Sequence, residues 1–357
     1  MEARPFARLS LITLALAAQA RAGSPQQSVH QAALPVTSLP FTAQLQLPAF
    51  DPALGVLRQV QVHGSSSVYG TLALENTGPQ PITFHAVLAA FVQVGLPSGG
   101  GMGLNPAFEI YLQQLTAYDG SFDWAGTSGM TLAFGPAGGT GAPSQDVFVF
   151  TPAALASWVA SSPGQQFTFS FTADEYAHQL PPIAEQHSLQ AAAGITITYT
   201  YDPLPAQICQ ASPALGCPCG NWSLNEWGCG NSASAPGALL AASGAASLSG
   251  DTLLLQASGM PNSTSLFFQG TSFTYTGVTF GDGMRCVGGT IQRLGAKVNS
   301  AGTSQYPQPG DLSVSVRGGV VQPGSVRYYQ TQYRDSASFC TAANSNVTSG
   351  VAILWGP

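Results

Sequence analysis

Between Ile195 and Tyr201 every second residue is threonine: Ile195, Ile197, Tyr199 and Tyr201 interleave with Thr196, Thr198 and Thr200. Residues 167–172 repeat the pattern, with Phe167, Phe169 and Phe171 set against Thr168, Ser170 and Thr172. Side chains on a strand point alternately to opposite faces, so a period of two demands a strand with one buried and one wet face. β-Branched and aromatic residues favour that state. Val60-Gln-Val62, Tyr69 to Leu74, Ile82 to Leu88 and Val147 to Phe150 read as further strands. One helix is expected, with Thr151 as its cap, Pro152 at its first position and Ala153 to Val159 continuing it. So many strands against one short helix predict an all-β fold built as a sandwich.

Composition agrees with short strands and tight turns. Charged residues are 7% of the chain, against roughly 25% in an ordinary soluble protein. Glycine (41) and proline (26) are frequent, while apolar residues at 45% are too many for a disordered chain. Residues 1–22 read as a signal peptide. Arg4 and Arg8 form a basic start, Leu9 to Ala18 an apolar stretch, and Ala20-Arg-Ala22 a small-residue cleavage site. The apolar stretch is too short to cross a bilayer, and no later run approaches the roughly 20 residues a span needs. The expected location is therefore secreted, extracellular or at the cell surface.

The cysteines fit such a compartment. All six lie in the second half: Cys209, Cys217, Cys219, Cys229, Cys286 and Cys340. An even count behind a leader reads as disulfides. The expected pairing is Cys286–Cys340, with Cys209, Cys217, Cys219 and Cys229 paired among themselves. Four thiolates at short spacing could instead bind zinc, but Cys-x-Cys is not the common finger spacing and export favours oxidation.

Charge divides the chain where the cysteines begin. Residues 23–207 carry one basic residue, Arg58, against ten acidic ones, whereas residues 208–357 carry six against five. Pro203-Leu-Pro205 marks the junction. The expected organisation is a flexible segment over residues 23–39, a β-sandwich over 40–203, a Cys-rich linker over 204–232 and a second β-sandwich over 233–357. In that second, jelly-roll-like domain, strands are expected at Ala238 to Ala242, Thr252 to Ala257, Ser265 to Gln269, Thr290 to Leu294, Ser313 to Arg317, Val326 to Arg334 and Val351 to Trp355. Gly259-Met-Pro-Asn262, Gly281-Asp-Gly283 and Gln322-Pro-Gly324 would supply turns.

The segment Leu47-Pro-Ala-Phe-Asp-Pro-Ala-Leu-Gly55, followed by Leu57 and Val60-Gln-Val62, resembles the opening of the bacterial choice-of-anchor E domain. Tyr118-Asp-Gly-Ser-Phe-Asp-Trp-Ala-Gly-Thr-Ser-Gly129 and the strand Ile195 to Tyr201 also match its style. The resemblance covers roughly residues 40–203. It implies an exported bacterial protein whose sorting device varies. This chain shows no sortase motif before Trp355-Gly-Pro357 and carries the cysteine domain instead. That domain resembles a C-terminal module of exported bacterial proteins. The shared segments are Cys217-Pro-Cys-Gly-Asn221, Gly228-Cys-Gly-Asn-Ser232, Gly259-Met-Pro-Asn-Ser263, Phe280-Gly-Asp-Gly-Met-Arg-Cys286 and Asn346 to Trp355. The resemblance would make it a surface or sorting appendage, and neither family implies a catalytic residue.

Three residue sets could carry chemistry. Asp119 and Asp123, four apart in a glycine turn, are a weak calcium candidate, because calcium wants six to eight oxygens and these two more readily cap turns. His178 and His187, with Asp174, Glu175 and Glu185 around them, could be a metal or acid–base set. Flanking Pro181-Pro182 points instead to a polar loop. Tyr329 and Tyr333 would share one strand face with Arg327, where exposed rings could stack on sugars and buried rings would be core. Nucleic acid is not an expected partner, since phosphate binding needs clustered Lys and Arg. No cofactor and no catalytic residue are expected. The expected function is an exported, non-enzymatic structural or adhesive protein, with surface polysaccharide or other exported proteins as partners. A carbohydrate-binding, lectin-like module is the alternative, and a secreted hydrolase with a cryptic site the second.

Overall fold

A computed structural model describes residues 24–135, 144–150, 152–177, 183–222, 225, 227–337 and 339–357. The signal-peptide expectation lies outside these residues, as do His178 and Thr151. The chain divides after Leu204 into two compact units, and both are all-β.

The first unit, to Leu204, holds ten strands among the described residues. These are β1 (Gln26–Ser38), β2 (Phe41–Pro48), β3 (Gly55–Asn76), β4 (Ile82–Gly95), β5 (Gly101–Leu104), β6 (Ala107–Leu115), β7 (Gly129–Phe134), β8 (Ser144–Val149), β9 (Gln166–Ala177) and β10 (Ile183–Pro203). They form two antiparallel five-stranded sheets. One runs β1-β10-β3-β7 with β8 also on β3; the other runs β2-β9-β4-β5 with β6 also on β4. The alternating segments do what their period demands. Ile195, Ile197 and Tyr199 of β10 and Phe169 and Phe171 of β9 are buried between the sheets, and their threonines face out. Phe108 of β6 stacks on Phe134 of β7 at 4.3 Å across the gap. Gly64 of β3 lies so close to β5 that a β-carbon would sit 2.3 Å from Met102 Sδ. The expected helix forms as one turn, α1 (Pro152–Leu155), continued by a 3-10 turn over Ala156–Trp158. It buries Trp158 against Phe150, Phe167 and Phe169.

Residues 23–39 are not a flexible segment: residues 26–38 form β1, paired with β10 from Gln26↔Tyr201 to Ser38↔Gln190. The alternation was hidden because β1 is an edge strand whose inward positions include Ser28, His30 and Ala32, only partly buried.

The second unit holds β11 (Ala206–Ile208), β12 (Leu239–Ser243), β13 (Leu254–Ser258), β14 (Thr264–Gly270), β15 (Ser272–Phe280), β16 (Gly283–Gly288), β17 (Gln292–Val298), β18 (Ser304–Tyr306), β19 (Val326–Arg334) and β20 (Ser345–Leu354). A central sheet runs β11-β20-β19-β14-β17. The sheet β12-β13-β18 covers one face and encloses a core that includes Leu240, Leu255, Phe267, Tyr306, Tyr329 and Trp355. The β15–β16 hairpin packs on β19, with Phe273 5.1 Å from Tyr328. Gly281, at φ +62°, supplies its two-residue turn.

Two expectations fail here. Ser313 to Arg317 is not a strand: Val314–Gly318 forms a short helix, α2. The Ser-Val-Ser-Val alternation is strand-like, but the Ser315 amide donates to Asp251 Oδ2 at 2.7 Å, and Gly319, at φ +64°, closes the helix. Residues 204–232 are not a linker. Ala206–Ile208 pair with β20, and the cysteines that follow tie the segment to this unit.

Candidate functional site

Among the described residues of the first unit, the loop Thr116 to Ser128 joins β6 to β7 and carries exposed aromatic side chains. It is anchored from below by Glu75, fully buried near the end of β3. Glu75 Oε1 accepts from Ser128 Oγ at 2.6 Å, and Oε2 from the Trp124 amide at 2.9 Å. Asn76 holds the loop to its neighbour: its Nδ2 donates to Thr116 O and Gln80 O, and its Oδ1 accepts from the Gly78 amide. The Tyr118 amide donates to Gly78 O at 2.9 Å. Asp119 Oδ1 accepts from the Ser121 amide, and Asp123 Oδ1 from the Ala125 amide, two successive Asx turns. The calcium candidates are therefore turn caps, one oxygen each already used. Trp124 takes φ +59°, a region bulky residues rarely enter, and Thr131 Oγ1 donates to its carbonyl. The rings project outward: Phe122 is 55% exposed, Tyr118 39%, and Phe122 meets Trp124 edge-on at 4.8 Å.

The histidine–carboxylate set is assembled in part. His187 and Glu185 lie on the same face of β10, and Glu175 comes from β9 of the opposite sheet. His187 Nδ1 is 2.8 Å from Glu185 Oε1 and Nε2 is 3.9 Å from Glu175 Oε2. Asp174 points to the other face of β9 and is exposed. The cluster links two sheets through one imidazole.

Tyr329 and Tyr333 are core, not stacking platforms, with exposures of 0% and 1%. Tyr329 Oη accepts from Trp355 Nε1 at 2.8 Å, and Tyr333 Oη from Asn231 Nδ2 at 2.9 Å. Sequence periodicity marked the shared face correctly, but β19 is covered on both sides, which no single strand reveals. Burial also pushes the phenols up: Tyr328 to about 12, and Tyr329, Tyr333 and Tyr306 in the same direction. A phenol that stays protonated in the fold and ionises at about 10 when unfolded adds stability below pH 10 and loses it as pH rises through the folded value. Stability of the second unit should therefore fall between pH 10 and 12. Tyr328 alone accounts for about 2 kcal/mol of the loss in that window. Ultraviolet titration should show these tyrosines ionising in one cooperative step with unfolding; smooth ionisation near pH 10 would contradict their burial.

The disulfide expectation is corrected. The bridges are Cys209–Cys286, Cys217–Cys229 and Cys219–Cys340, with Cα separations of 5.7, 5.7 and 5.5 Å. Cys286 is buried on β16, where Cys209 arrives at the end of β11, while Cys340 lies in the β19–β20 connection. The Cys219, Asp282 and Cys340 ligand atoms converge, but both sulfurs belong to a disulfide.

Segments far apart in the sequence meet inside the second unit. Asn231 Nδ2 donates to Gly259 O and Asn346 Nδ2 to Gly230 O. Asp335 accepts from the Ser232 amide and hydroxyl, and buried Asp282 accepts from the Thr341 amide. The opening motif of the first unit behaves alike. Phe50 packs between Tyr199 and Tyr201, exchanges backbone bonds with Trp158 and Ala160, and precedes the Asx turn of Asp51.

No family model matches the chain, and no curated protein matches it. Among solved structures, it is similar to one of the infectious bursal disease virus Gx strain, at 12% identity and TM-score 0.13 over 55% of this chain and 42% of that one. A second is the crystal structure of the T13 particle of the same virus, at 11% identity and TM-score 0.12 over 57% and 44%. The chain spans less than half the length of these proteins, and likeness at such scores carries no argument.

Proposed function

We propose that the chain is an exported, non-enzymatic structural or adhesive protein of the cell surface or extracellular matrix. The observation that carries this reading is the cysteine state: all six are paired, and two bridges join residues 77 and 121 apart in sequence. Such cross-links persist in oxidising compartments and are rare in the cytosol. Among the described residues no helix is long and apolar enough to cross a membrane.

The outer surfaces fit contact rather than catalysis. The first unit's sheets show rows of uncharged hydrogen-bonding side chains. On β10 these are Thr196, Thr198 and Thr200; on β9, Thr168, Ser170 and Thr172; on β2, Thr42, Gln44 and Gln46. The buried acids Glu75, Asp282 and Asp335 hold loops in place. The resemblance of residues 40–203 to choice-of-anchor E domains, and of the cysteine unit to an appendage of exported proteins, supports the same reading. The test is fractionation of the producing cells with mass spectrometry of the recovered protein. The expected result is surface or culture-medium protein starting at Gly23, with the three bridges named above. Cytoplasmic protein with an intact leader and six free thiols would overturn the proposal.

A further inference from the structure

Resting on the adhesive reading, we infer that the Tyr118–Trp124 loop is a docking platform for the pyranose rings of a neutral polysaccharide. A sugar offers two complementary surfaces: a face of C–H bonds that packs on aromatic rings, and an equator of hydroxyls that donates to carboxylates. The loop presents both. Phe122 and Tyr118 each turn more than a third of their surface to solvent, and Phe122 meets Trp124 edge-on. Asp119 and Asp123 of the same loop are exposed, and each uses Oδ1 for its Asx turn.

The loop is held before any ligand arrives. Glu75, Asn76 and Thr131 fix its backbone at Trp124, Thr116 and Ser128, so little conformational freedom remains to be lost on binding. Charge selects the ligand. The unit has one basic residue, Arg58, ion-paired with Asp202, against ten acids. A uronate, sulfated glycan or nucleic acid would meet only repulsion here, whereas a neutral sugar would not. A single ring on one platform binds weakly; a polymer gains by offering many rings to surface-fixed copies.

The test uses the purified, oxidised full chain and pull-down on insoluble neutral glycans (cellulose, chitin, β-1,3-glucan), with alginate and polygalacturonate as anionic probes, each with and without EDTA. The expected result is retention on at least one neutral glycan, unaffected by EDTA and absent on the anionic ones. Phe122→Ala should weaken it about 5–10-fold, the scale of one aromatic contact. Phe122→Ala with Tyr118→Ala should abolish it. Both side chains are exposed, so thermal transitions should stay in place, and a variant that unfolds is replaced by Phe122→Ser. Failure to bind every neutral glycan, binding that both variants retain, or preference for the anionic probes would each overturn the inference. None of these results bears on where the protein resides, which fractionation reads separately.

Discussion

Treatment with a phosphine reductant is expected to unfold residues 205–357 and leave residues 24–204 folded. The first unit contains no cysteine, so its sheets owe nothing to cross-links. The second contains all three bridges, spanning 12, 77 and 121 residues. A bridge restricts the unfolded chain, and the chain-entropy scale assigns about 3 kcal/mol to the shortest and about 4–5 kcal/mol to each of the others. The contributions are not additive, but losing even two of them rivals the whole 5–15 kcal/mol stability of a typical domain. Calorimetry of the full chain should show two transitions. Reduction should lower one by at least about 20 °C, while the other moves by no more than a degree or two. Equal shifts of both transitions, or a shift of neither, would refute the division of labour between cross-linked and uncross-linked units.

The second large effect is expected at Gln330, a fully buried amide on central strand β19. Its Oε1 accepts from the Cys286 amide at 3.1 Å and the Val287 amide at 3.4 Å. Its Nε2 donates to Met284 O at 2.9 Å and Thr348 O at 2.8 Å, and lies 3.4 Å from Cys209 Sγ. One side chain thus replaces the ladder that β16 cannot make with β19 and also holds β20. Gln330→Leu keeps the volume but strands buried backbone groups, each costing about 1–3 kcal/mol. The expected loss is about 4 kcal/mol, read as a shift in denaturant midpoint at constant slope. Gln330→Glu should cost more, because it keeps the acceptor, loses both donors and buries a charge. Hydrogen exchange at the Cys286 amide should rise in both variants. A Gln330→Leu protein within 1 kcal/mol of the parent would show that the hairpin is held by packing alone. Because Gln330 touches the Cys209–Cys286 bridge, this loss and that of reduction should not add.

Much of the first unit was legible because its signal is local. The alternations in β9 and β10 name the strands and the buried face together. The same logic failed at β1, whose inward positions include Ser28, His30 and Ala32, and at α2, where Ser-Val-Ser-Val reads equally as strand and only Asp251 and Gly319 decide for helix. The hairpin β15–β16 carries the same local signal, since Phe273 and Tyr275 alternate with Thr274 and Thr276. The candidate site divides in the same way. Its residues stand together in Tyr118 to Gly129, but the anchor Glu75 lies 49 residues before Trp124 and carries no local signal.

By itself the sequence determined the strand class, the change of character near residue 204 and the oxidising chemistry, because periodicity, charge and cysteine count are properties of neighbouring or summed residues. Tertiary structure alone decided which cysteines meet, that both faces of β19 are covered and which acids are buried. Those outcomes depend on which strand lies across from which, and a strand pattern is blind to its partner. Tyr329 and Phe122 are both aromatic residues among polar ones. Only the sheet laid over one and the loop raised beneath the other separate a core ring from a displayed ring.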